Sequence, residues 1–158
     1  MTQLSYGYDM EIGQPGLLFD IGNNSVLTYR AEENINFGLG LVKGTGDSDA
    51  LLPVDGDGDF IGVAIRTQGI EQNGSGEAFY AEKSAVSVLN RGRIYVRSEQ
   101  EVVAGDPVFL RFEVGAPGTV LGAFRKDADT DKAYALSGVR FVRGAAAGGL
   151  AVIEINLP

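Results

Sequence analysis

The chain has 158 residues, within the roughly 100–200 expected of one domain, and 44 % are hydrophobic, so it can bury a real core without covalent or metal staples. His 0 and Cys 0 exclude Ser-His-Asp and Cys-His nucleophile pairs, disulfides, and zinc or haem sites built on those residues. The formal charge of −8, from 13 Lys and Arg against 21 Asp and Glu, argues against nucleic acid as a partner, because the basic cluster that counterion release needs is absent.

The N-terminus, MTQLSYGYDMEIG, has neither a positive n-region nor an apolar h-region, so export is not expected. Apolar runs such as Phe60 to Ile65 are far shorter than the ~20 residues of a spanning helix, so no membrane partner is expected either. Glycine is the compositional outlier: 23 of 158 residues, about twice the usual ~7 %. In an ordered chain that means many tight turns between short strands.

The first ~20 residues read as an extension carrying Tyr6, Tyr8, Leu17, Leu18 and Phe19. Either these side chains pack on their own domain, or the segment is an arm that buries them on a partner. Ser25 to Arg30 is the first strand. Ile35 to Lys43 alternates through Phe37, Leu39 and Leu41, with Gly38 and Gly40 on the other parity, a pattern of close backbone approach or a bulge. Phe60 to Arg66 reads as a buried strand.

Ser84 to Arg97 reads as a hairpin: Val86 and Val88 share a parity, Asn90-Arg91-Gly92 supplies the turn, and Ile94 and Val96 return. Arg91 and Arg93 then flank the tip, either as solvated turn residues or as a grip on an acidic partner. Ala104-Gly105-Asp106-Pro107 reverses the chain into a strand where Val108, Leu110 and Phe112 alternate with Phe109, Arg111 and Glu113. Thr119 to Phe124 follows another turn. Lys126 to Leu136 is the best helix candidate, and reads equally as a loop. Val139 to Val142 and Leu150 to Leu157 close the chain, the latter with Ile153, Ile155 and Leu157 on one face. Eight strands at 8–12-residue spacing give one all-β domain, a sandwich or barrel, occupying residues 21–158 behind an extension of residues 1–20.

No motif carries catalysis. Asp55, Asp57 and Asp59 have the acid spacing of a calcium loop, but Phe60 and Arg66 stand where its glycine and bidentate glutamate belong. Asp127, Asp129 and Asp131 fail in the same way, so acidic turns explain both and no metal site or cofactor is assigned. Gly44-Thr45-Gly46-Asp47 lacks the lysine of a phosphate loop.

Five strings in order then carry a resemblance: Phe37 to Thr45, Phe60 to Arg66, Ser87 to Val96, Ala104 to Phe109, and Gly144 to Glu154. Together, from about Gly13 to the end, they resemble the structural cement, or capsid decoration, proteins of tailed bacteriophages. The resemblance implies a jelly-roll-like domain and a non-enzymatic role, strengthening the outside of a capsid. It further implies a homodimer or homotrimer, made in the host bacterial cytoplasm and seated across copies of a major capsid protein of HK97-like fold. The competing reading, a carbohydrate- or receptor-binding β-sandwich on a fibre or spike, wants clustered aromatics, whereas Trp is 0 and the tyrosines are scattered. A small trimeric nucleotide hydrolase wants acidic metal ligands in register with basic phosphate contacts, and the sequence offers neither.

Overall fold

Apolar alternation resolves into eleven strands and no helix among the described residues, 13–67 and 78–157 of the computed structural model. In chain order they are β1 (Ser25–Ala31), β2 (Ile35–Asn36), β3 (Gly40–Lys43), β4 (Asp49–Leu51), β5 (Phe60–Ala64), β6 (Phe79–Tyr80), β7 (Ala85–Arg97), β8 (Pro107–Arg111), β9 (Phe124–Arg125), β10 (Ala133–Arg143) and β11 (Leu150–Asn156). Five of them close a barrel. β1 runs parallel to β4 and antiparallel to β7, and β4, β3, β5 and β7 pair successively to complete the ring. From the second half of β7 the sheet continues as β11, β10, β8 and β9. Ser98, just past β7, bridges Phe124 of β9, so this half also curls back on itself.

Each half has its own apolar cluster. The barrel's cluster gathers Ala31, Ile35, Phe37, Leu41, Ala50, Ala64, Tyr80, Val86 and Val88. The larger one packs Val42, Val63 and Leu89 of the barrel wall against Ile94, Val96, Leu110, Phe124, Phe141, Ile153 and Ile155. β7 feeds both because its parity changes partway. Val86 and Val88 face the barrel cluster, yet Ile94 and Val96 face the other. The register against β1 slips between Ser25, opposite Arg91, and Val26, opposite Leu89, which leaves Asn90 as the extra residue of a bulge.

The structure therefore corrects the hairpin reading of Ser84 to Arg97. Asn90-Arg91-Gly92 is a bulge in one continuous strand, because β1 holds one edge while β5 and β11 hold the other. Local chemistry that suits a turn also suits a bulge; pairing on both edges decides between them. Ile35 to Lys43 is two strands, broken where Gly38 takes φ +79° and where a Cβ would collide with Pro15 and Gly16. Gly62, at φ +139°, lies so close to the Leu89 carbonyl that a Cβ there would collide with it. Residues 119–123 form turns ahead of the short β9, and Lys126 to Leu136 holds no helix: it is a tight turn with positive φ at Asp129, Thr130 and Asp131, leading into β10.

Candidate interaction surface

Strands β7, β11 and β10 lie side by side, and one parity of each is buried in the larger core. The other parity faces outward, and register fixes what it shows. Arg91 stands opposite Asn156, and Arg97 opposite Leu150. Arg93 stands opposite Glu154, itself opposite Arg140; Tyr95 stands opposite Val152, itself opposite Arg143. The result is five exposed arginines on one sheet face, three of them from β7. No basic cluster is visible in the sequence because these residues are up to 52 positions apart; the sheet register assembles one.

Glu154 bridges two of them, with Arg93 Nε at 2.9 Å and Arg140 Nη2 at 3.0 Å. Arg93, and then Arg140, hold its carboxyl below the usual range. Asp20 lies 3.5 Å from Arg93 Nη1 and extends the row. Arg97 Nη1 donates to the Gly148 carbonyl at 3.1 Å. Arg143 lies 5.2 Å over the Phe19 ring, which packs edge-on against Tyr95 at 5.6 Å. Arg91 has no ion pair among the described residues. An open groove of about 340 Å³ runs beside it, lined by Asp20, Asn23, Arg91, Arg93, Glu154 and Asn156.

Phe19 reaches this face because the chain ahead of β1 is clasped to β7. Gly16 N donates to Tyr95 O at 2.8 Å, Tyr95 N to Leu17 O at 2.9 Å, and Phe19 N to Arg93 O at 3.0 Å. Leu18 bridges Ile94 and packs on the larger core. Of the sequence-based interface residues, Leu18 and Phe19 thus pack on their own domain, and Leu17 stays 38 % exposed next to the fully exposed Ile21. Arg91 and Arg93 lie mid-strand on the arginine face rather than at a hairpin tip. Tyr6 and Tyr8 lie outside the described residues.

A second arginine cluster is internal, and the alternation of Arg111 with Leu110 and Phe112 gave no sign of it. Its side chain is 0 % exposed. Nε and Nη2 donate to the two Glu99 carboxylate oxygens at 2.6 and 2.8 Å, and Nη2 also to Asp129 at 2.6 Å. Arg125 donates to Glu99 at 2.9 Å and to Asp127 at 2.6 Å. The Glu99 bond, reinforced by Asp129, raises the Arg111 pKa, so the guanidinium stays charged although burial opposes it. The signal available in the sequence was Asp127 and Asp129, whose charges are taken up by these two arginines. The other acidic string makes a turn, with Asp57 N donating to Asp55 Oδ1 at 3.1 Å.

A family model described as structural cement protein (E217 gp24/Pam3 gp6) matches residues 2–156. The chain belongs to the structural cement protein family. The match takes in residues 2–12, upstream of the Gly13 at which the sequence resemblance begins. A chain of "The capsid of Myoviridae Phage XM1" is similar over 98 % of this chain and 97 % of that one, at 15 % identity and TM-score 0.80, so the cement protein shares its fold. A second solved structure, "The crystal structure of head fiber gp8.5 N base in bacteriophage phi29", aligns over 84 % of this chain and 94 % of that one at 13 % identity and TM-score 0.45. No curated relative matches the sequence. The cement protein is a structural component of a phage capsid, and membership of this family implies a non-enzymatic role.

Proposed function

We propose that the cement protein binds the outer surface of an assembled shell and holds neighbouring copies of a major capsid protein of HK97-like fold together. The family match over nearly the whole chain carries this reading. The physics agrees with it. Contacts between capsid subunits are individually weak, and a bridging protein that touches several at once gains by multivalency rather than by one strong site. A formal charge of −8 suits the exterior, away from packaged nucleic acid. The proposal includes self-association as a homodimer or homotrimer, with synthesis in the host bacterial cytoplasm. It also includes the N-terminal segment Met1 to Gly13, with Tyr6 and Tyr8, as an arm that reaches a partner.

The test is to compare particles with and without the protein. It should co-sediment with shells, and shells lacking it should burst at lower temperature. Equal fragility removes the cementing role. Deleting Met1 to Gly13 should weaken shell binding or self-association while β-type circular dichroism persists; unchanged assembly removes the arm.

A further inference from the structure

The charge of this molecule is divided unevenly. Five exposed arginines, Arg91, Arg93, Arg97, Arg140 and Arg143, meet two carboxylates, Asp20 and Glu154, on the face of β7, β11 and β10. Among the described residues arginines thus outnumber carboxylates on this face, in a chain whose total is −8. Strands about 4.8 Å apart, with same-face residues about 7 Å apart along each, set these guanidinium groups at regular spacings on one face. Each is a planar fork of donors that fits a carboxylate in two-point fashion. Arg91 and Arg143 hold no carboxylate among the described residues, while Arg93 and Arg140 share Glu154.

We propose that this arginine face is the side of the protein that docks, and that its occupant is a carboxylate-rich protein surface, Asp and Glu side chains of the shell. The inference rests on the cementing reading above. Charge complementarity selects the occupant. Acidic side chains can reach Arg91, from the groove beside it, and exposed Arg143 singly, with Glu154 and Asp20 remaining between them. A continuous phosphate backbone would have to cross those same carboxylates and approach a chain of net charge −8. Oppositely charged patches steer approach and fix orientation, so the signature is a strong dependence on salt.

The experiment titrates undecorated shells with the cement protein at about 0.1 M and about 0.5 M salt. Arg91→Glu/Arg143→Glu spares the Arg93–Glu154–Arg140 row and should bind roughly tenfold or more weakly at low salt, with the gap closing at high salt. Arg91→Lys/Arg143→Lys, which keeps the charge and loses the fork, should fall between and stands in should the glutamate variant fail to fold. Asp55→Lys/Asp57→Lys, on the acidic turn, should bind at least as well as wild type. Wild-type protein that ignores shells sinks the cementing reading. Wild-type protein that binds, with a folded double variant equal to it, overturns the arginine face alone. Duplex DNA captured by the wild type and not by the variant, or a loss confined to self-association, also overturns it.

Discussion

Two arginine clusters in this protein use the same chemistry to opposite ends. Arg111 and Arg125 sit inside, surrounded by Glu99, Asp127 and Asp129. Arg93 and Arg140 sit outside on Glu154 at similar distances. Geometry does not separate them; water does. An exposed pair gives back most of its attraction to solvation and is worth about 0–1 kcal/mol. A buried guanidinium has no water to fall back on, so its partners are obligatory. The inner cluster therefore ties together the segment around Glu99, the end of β8, and β9 with the turn that follows it, whereas the outer one leaves arginines available to something else.

The sharpest way to break the contrast is Arg111→Met. Leaving Glu99 and Asp129 facing an apolar side chain should cost about 3–5 kcal/mol in a denaturant melt. Arg111→Met/Glu99→Leu should recover part of that, since removing both charges removes the orphan. A double variant as unstable as the single would mean the loss is packing, not charge.

Acid titration comes next. The Asp127 carboxyl is held below its ordinary value chiefly by the Gln100 amide, with Arg125 beside it, and the Asp129 carboxyl chiefly by Arg111. Groups with lowered folded values contribute stability that is complete above the ordinary carboxylate value and lost as pH falls through the lowered one. Melting temperature should stay level from neutral down to about pH 5 and drop below about pH 4. A fall beginning near pH 6 would contradict these assignments.

Alkali gives a smaller effect at another place. Burial, with Asp55 and Asp59 nearby, pushes the Tyr134 phenol up to about 12, and its hydroxyl donates to the Gly58 carbonyl at 3.0 Å. A raised value means stability that is full below the ordinary 10.0 and lost as pH climbs toward 12. Ultraviolet titration should show one tyrosine ionising late, and Tyr134→Phe should remove it. The least effect belongs to the outer row: Glu154→Gln should change stability by no more than about 1 kcal/mol, and a larger loss would show that this row is structural too.

The all-β class, most strand positions and the buried parity of β11 were legible because they are local: alternation and turn residues report on their own neighbourhood. What was not legible depends on partners distant in sequence. Arg111 alternates with apolar residues as a surface residue would, and it is covered by Glu99, by the chain at Glu113 and Gly115, and by the turn that brings in Asp129. Asn90-Arg91-Gly92 carries turn chemistry, and only the strands on either side keep it extended. Arg140 and Arg143 look unrelated to Arg91 until Glu154 and Val152 set the register between them.

The bulge at Asn90 has a mechanical consequence. With no joint between the barrel and the outer sheet, a pull between them runs along a backbone zipped to neighbours on both flanks and across the core the two halves share. Such a load is resisted in shear, many bonds at once, instead of peeling them one after another. The molecule behaves as a stiff brace, not a tether.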